Sequence, residues 1–86
     1  MTIHERVRAF ITENFYIADK AALSDADSLL DKGIIDSTGV LEVVAFIEGA
    51  FGIQVDDAEI LPENLDTIGS IVGYVERKRA RVSSAA

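Results

Sequence analysis

The chain has 86 residues, 49% of them apolar, which suits one domain with one modest core and is too apolar for a disordered chain. It holds no cysteine and a single histidine, His4, so disulfides, thiolate metal sites and a protein thiol nucleophile are excluded. The net charge of −7 disfavours nucleic-acid phosphates, no run approaches the roughly 18 apolar residues of a membrane span, and MTIHERVRAF carries no secretory signal, so a soluble, monomeric, cytoplasmic protein is expected.

Ile3, Val7, Phe10, Ile11 and Asn14 share one side of a helical wheel and predict a first helix. Thr2 followed by Glu5 reads as a capping box, placing its start at residue 2 or 3, with an end near Phe15 or Tyr16. Residues 17–35 lack clean periodicity, and a connection that long in a small domain is expected to be functional or well anchored. Ile17, Leu23, Leu29, Leu30, Ile34 and Ile35 are available as anchors, which predicts an ordered loop with room for one short helical turn.

Val40, Val43, Val44, Ile47 and Phe51 form the clearest stripe in the chain. Asp36 as N-cap and Gly52 just past the end predict a second helix from about Ser37 to Phe51. Asp56 to Leu61 predicts a short third helix closed by Pro62, with acids favourable in its first turn. The last helix is expected to begin near Asp66 as cap, with an apolar face of Leu65, Ile68, Ile71, Val72 and Val75. Arg77, Lys78, Arg79 and Arg81 fall at its C-terminal end as dipole complement, and residues 81–86 are expected to fray. Subtracting these four positive charges from −7 leaves a body near −11, which should steer toward basic partner surfaces. The expected fold is all-α: one domain over residues 1–86, three main helices, a short third one and a long first loop.

Ser37 is the residue with the most to say about function. With Asp36 serving as the cap, its hydroxyl is left free, and the unpaired N–H groups of a first helical turn favour a nearby anion. His4 is too remote in sequence to be assigned as a base, so the hydroxyl reads as a point of attachment and not as a catalytic nucleophile. The stretch LLDKGIIDST, the Phe51-Gly52-Ile53 exit of the second helix, the acidic VDDAEI, Pro62 and an isoleucine-rich last helix together resemble the acyl carrier protein family from the first helix to about Lys78. That resemblance implies a four-helix bundle and a non-catalytic carrier. It also implies a 4′-phosphopantetheine arm joined to Ser37 by a phosphodiester, and a separate phosphopantetheinyl transferase that takes the arm from coenzyme A. Asp36 matches the acid beside the modified serine that helps position magnesium and coenzyme A in the transferase complex. The thiol missing from the chain would then be supplied by the arm, which holds cargo as a thioester.

In the family the second helix is the main partner-recognition surface, and here Thr38, Leu41, Glu42, Ala45 and Glu48 match its positions. Glu42 and Phe46 are expected on the side of that helix opposite the apolar stripe. Asp56, Asp57 and Glu59 read equally as dipole complement and as partner contacts. The chain departs from the fatty-acid-synthesis pattern at Thr38, usually leucine, at Gly39, often acidic, and at Gly49-Ala50, where further acids are common. Gly39 and Gly49 each weaken a helix by about 1 kcal/mol relative to alanine. The D-S-x-G form resembles carriers of dedicated pathways, including D-alanyl carrier proteins.

Three readings therefore stand. The first is a carrier of acyl groups for fatty-acid, lipid or polyketide-type synthesis, served by acyl-processing enzymes with basic docking surfaces. The second is an aminoacyl or D-alanyl carrier charged by its own adenylating ligase. The third is an unmodified acidic interaction module. Other motifs do not develop: Asp25, Asp27 and Asp31 lack the glycine and terminal glutamate of a calcium loop, and Gly69-x-x-x-Gly73 lies in an amphipathic segment, not a membrane span.

Overall fold

The computed structural model describes residues 2–85, with side chains from residue 2 to 81; of the tail expected to fray, 81–85 continue the last helix and residue 86 lies outside the described residues. The described residues form helices α1 (Ile3–Asn14), α2 (Ser37–Phe51), α3 (Pro62–Leu65) and α4 (Ile68–Ala85), with 3₁₀ turns at Lys20–Ala22 and Asp57–Glu59 and no strand. The all-α expectation holds. The core is one cluster in which Val7 and Ile11 of α1, Val43 and Ile47 of α2, Leu65 of α3 and Ile68, Ile71, Tyr74 and Val75 of α4 meet Leu23, Leu29 and Ile35 of the first loop.

Helix α1 starts through the expected capping box: Thr2 Oγ1 accepts the Glu5 amide at 3.0 Å, and Glu5 Oε1 accepts the Thr2 amide at 3.3 Å. Asn14 does not join the apolar stripe. It is exposed, and its side-chain amide donates to the Phe10 carbonyl of its own helix at 2.9 Å. Phe46 is likewise not on a free side of α2. It stacks on Phe10 of α1 with centroids 4.2 Å apart and meets Phe51 edge-on at 5.8 Å, so an aromatic cluster extending beyond the apolar stripe joins α1 to α2.

The first loop is held by side chains that reach backbone. Arg8 donates to the carbonyls of Lys20 and Leu23 at 3.0 and 2.7 Å and to the Asp25 carboxylate at 3.3 Å. His4, half-buried and not a free surface residue, pairs with the other Asp25 oxygen at 2.7 Å. The Asp25 carbonyl accepts the Gly69 amide at 3.0 Å, and a Cβ on Gly69 would sit 3.3 Å from that oxygen, so the glycine admits the close approach of loop and helix. Asp25 thus fastens the loop to both α1 and α4, a structural task in place of cation binding.

The second half of the chain corrects five expectations. Pro62 opens α3 at its first position and does not close a preceding helix; the missing proline N–H is one of the donors a helix start leaves unpaired. The 56–61 segment is only a 3₁₀ turn, and Leu65 belongs to α3 and not to the face of α4. Asp66 does not cap α4. Thr67 does, its Oγ1 accepting the Ser70 amide at 2.9 Å, while the Asp66 carboxylate turns to the first loop, accepting Ser28 Oγ–H and the Leu30 amide. Arg77, Lys78, Arg79 and Arg81 do not complement the helix dipole, because α4 runs on to Ala85 with no basic residue in its last turn; the Lys78 side chain is only 12% exposed and bonds Glu59 at 2.8 Å, tying α4 to the Asp57–Glu59 turn.

Candidate functional site

The start of α2 is built by its two preceding residues. Ile35 is buried, anchoring the chain, and Asp36 is extended (φ −111°, ψ −172°), so the helix can begin at Ser37. Asp36 Oδ1 accepts the Gly39 amide at 2.8 Å, and the Asp36 carbonyl accepts the Val40 amide at 3.0 Å. The amides of Ser37 and Thr38 precede any possible intrahelical acceptor. Ser37 is exposed, and none of the side-chain hydrogen bonds among the described residues uses its Oγ; nor does any use the second Asp36 oxygen. His4, committed to Asp25, is not its partner.

Gly39 is buried against the same entry. A Cβ there would lie 3.0 Å from Ile35 Cγ2 and 3.1 Å from Phe15 Cε1. The departure from an acidic residue at this position therefore has a steric cause: the residues that aim the chain into α2 occupy the space a side chain would need.

Beside Ser37 lies an apolar groove of about 310 Å³ between α2 and α3. Val40 and Leu41 form one wall, Leu61, Pro62 and Leu65 the other, with Ile60, Leu30 and Asp66 completing it and Ser37 on its rim. Leu41, Leu61 and Leu30 are 59%, 41% and 37% exposed, so the groove carries apolar surface to solvent next to the hydroxyl. A further depression of about 400 Å³, lined by Tyr16, Asp19, Asp27 and Lys32 among others, has no residue from α2.

These features fit a phosphoryl-linked arm: an accessible hydroxyl without an internal partner, first-turn amides toward an anion, and an apolar recess within the same surface. Residues 5–75 match the family described as "Phosphopantetheine attachment site". The chain belongs to this carrier-protein family. The carrier is 33% identical over 76 residues to an acyl carrier protein of Thermotoga maritima, covering 88% of the chain and 90% of the relative. It is 36% identical over 76 residues to the acyl carrier protein of Campylobacter hominis, covering 88% and 92%. To the D-alanyl carrier protein of Streptococcus uberis it is 33% identical over 77 residues, covering 88% and 94%. Phosphopantetheine is the cofactor of the family, and among the described residues no helix is long and apolar enough to cross a membrane.

The residues expected to meet partners divide in the carrier. Thr38, Leu41, Glu42 and Ala45 are all exposed on α2, and Asp56 and Asp57 are exposed at the following turn. Glu48 is half-buried, and its Oε2 accepts the Val55 amide at 2.9 Å. Glu59 accepts Tyr74 Oη–H at 2.9 Å, Lys78 Nζ–H at 2.8 Å and the Asp56 amide at 3.3 Å. The hydrogen bond from Lys78, then that from Tyr74, pulls the Glu59 carboxyl down to about 2. Burial, seconded by the Glu59 hydrogen bond and charge, pushes the Tyr74 phenol well above its ordinary range. Leu61, Pro62, Leu65 and Asp66 were not expected as site residues, although the family resemblance implies that an acyl chain can insert between the second and third helices. Leu30, expected as an anchor of the first loop, is instead exposed and lines the groove, while its neighbour Leu29 is fully buried.

Proposed function

We propose that the protein is a stand-alone acyl carrier whose 4′-phosphopantetheine is attached at Ser37 Oγ. The observation that carries this reading is an exposed, internally unbonded hydroxyl on the rim of a 310 Å³ apolar groove. When bound, the arm supplies the thiol on which cargo is held as a thioester. The residues of the chain do the rest. Asp36 keeps α2 capped through Oδ1 and has its other oxygen available to the transferase and its magnesium ion. The Ser37 and Thr38 amides offer the phosphodiester a favourable field. Val40, Leu41, Leu61 and Leu65 give the first carbons of an acyl chain an apolar surface, worth roughly 0.8 kcal/mol per buried methylene. Nothing in the site activates a nucleophile, so chemistry on the cargo belongs to the partner enzymes. Glu42, Asp56 and Asp57, together with Leu41 and Ala45, are exposed and available to basic docking surfaces, with encounter rates that fall as salt rises.

A second reading, an aminoacyl carrier loaded by its own adenylating ligase, is supported by the S. uberis D-alanyl carrier protein, as similar to this chain as the T. maritima protein. The groove favours the acyl reading, since an alanyl group has too little apolar surface to use it.

Intact-protein mass spectrometry after incubation with coenzyme A and a broad-specificity phosphopantetheinyl transferase tests the attachment. Wild type should gain one arm and Ser37→Ala none. No gain on wild type, with the transferase active on a control carrier, overturns the proposal and leaves the unmodified acidic module. Mass spectrometry of the holo protein from its native cells then separates acyl from aminoacyl cargo.

A further inference from the structure

Leu30 of the first loop completes the groove opposite α3, and Asp66 joins that loop to α3. Asp66 ends α3, its amide donating to the Pro62 carbonyl at 2.9 Å, so it is rigidly part of the far wall. Its carboxylate reaches across to the first loop: Oδ1 accepts the Leu30 amide at 2.9 Å and Oδ2 accepts Ser28 Oγ–H. Its carbonyl accepts the Leu29 amide at 2.8 Å, and Ser28 Oγ in turn accepts the Asp31 amide at 3.1 Å. The Leu29 carbonyl then takes the amides of Ile34 and Ile35, the residues that lead into Asp36 and Ser37. The carboxylate thus holds the Leu30 side of the groove against α3, while the Asp66 carbonyl, through Leu29, fixes the chain leading to Ser37.

We infer that Asp66 is a positioning residue for cargo: its bonds to Ser28 and Leu30 latch the loop wall to the α3 wall and keep the groove closed enough to shelter a carbon chain. This rests on the acyl reading of the groove. With the carboxylate removed, buried Leu29 keeps its backbone bond to the Asp66 carbonyl, but Leu30 and Ser28 lose their side-chain ties to α3, and the exposed Leu30 side chain gains room to turn outward while α3, begun by Pro62 and anchored by buried Leu65, stays in place. The groove then opens on one side, and the apolar contact that would shield a thioester-linked chain is lost.

Two measurements test this on the full chain. In the unmodified protein, amide hydrogen exchange at Leu30 should quicken about fivefold in Asp66→Ala, the factor given by one net hydrogen bond of about 1 kcal/mol. Asp66→Asn keeps an acceptor for that amide and should stay within about twofold of wild type. Ser28→Ala, which leaves the α3 cap untouched, should loosen the loop in the same direction should Asp66→Ala fail to fold. In the holo protein, cleavage of octanoyl and acetyl thioesters by hydroxylamine is compared, each normalised to the same thioester of free pantetheine. Wild type and Asp66→Asn should protect octanoyl over acetyl, and Asp66→Ala and Ser28→Ala should lose that difference. Equal cleavage of the two cargoes in wild type overturns the groove reading, and the latch with it. Protection in wild type that persists in Ser28→Ala and Asp66→Ala, or unchanged exchange at Leu30, overturns the latch alone.

Discussion

Replacing Gly39 and Gly49 by alanine, one at a time, separates helix propensity from packing within one helix. Each exchange removes a glycine from α2 and should gain up to about 1 kcal/mol of propensity. At Gly49 an added Cβ meets nothing within 4 Å, so the gain is undiluted, apart from some loss to fraying near the helix end. At Gly39 the same atom lies 3.0 Å from Ile35 Cγ2 and 3.1 Å from Phe15 Cε1. Ile35 is 3% exposed and cannot step aside into solvent. Overpacking of this kind costs about 1–3 kcal/mol, so Gly39→Ala should come out between neutral and about 2 kcal/mol destabilised. For a domain of this size about 1 kcal/mol moves the melting midpoint by about 4–8 °C. Thermal and urea unfolding of the unmodified protein, followed by circular dichroism, should show Gly49→Ala melting higher than wild type and Gly39→Ala no higher. Equal stabilisation by both would refute the reasoning, since Ile35 and Phe15 would then accommodate a side chain at no cost, and the glycine would not be explained by the entry into the attachment site.

The Glu59 cluster predicts an acid-dependent tie between the Asp57–Glu59 turn and α4. The carboxyl titrates near 2 in the folded chain against an ordinary value of 4.5, so its stabilisation is fully present above about pH 4.5 and disappears as pH falls through about 2. Glu59→Gln should therefore melt below wild type at pH 6, and the gap should close as melts are repeated toward pH 2; a constant gap would remove the carboxylate from the tie. Glu48→Ala takes the acceptor from the amide of buried Val55 and should cost about 1–3 kcal/mol in urea unfolding, with Glu48→Gln recovering most of it. If Glu48→Ala unfolds like wild type but slows turnover by a partner enzyme, Glu48 acts at the docking surface and not in the fold.

Local signals were sufficient wherever one element settles its own geometry. Thr2-x-x-Glu5 names the start of α1, and Asp36 and Gly52 bracket α2 and leave Ser37 directly after the cap, because caps and left-handed turns involve only neighbouring residues. Gly52 does take the left-handed conformation, φ 66°, that its place after the helix requires. What the sequence could not state is which of several suitable partners a polar side chain takes. Asp66 looks like a helix cap, yet Thr67 beside it supplies that bond and releases the carboxylate to Ser28 and Leu30, thirty-eight and thirty-six residues away. Glu48 and Glu59 look like surface acids, yet each closes a contact with a backbone amide or a side chain from another element. Gly39 looks like a weak point in a helix, and only the approach of Phe15 and Ile35 makes it a packing necessity. The sequence by itself determined the all-α class, the bounds of α1 and α2, the acidic composition and the exposed place of Ser37 after its cap. The tertiary structure alone decided the groove beside that serine, since its walls come from α2, α3 and the first loop, and no periodicity within one segment encodes the distance between two others.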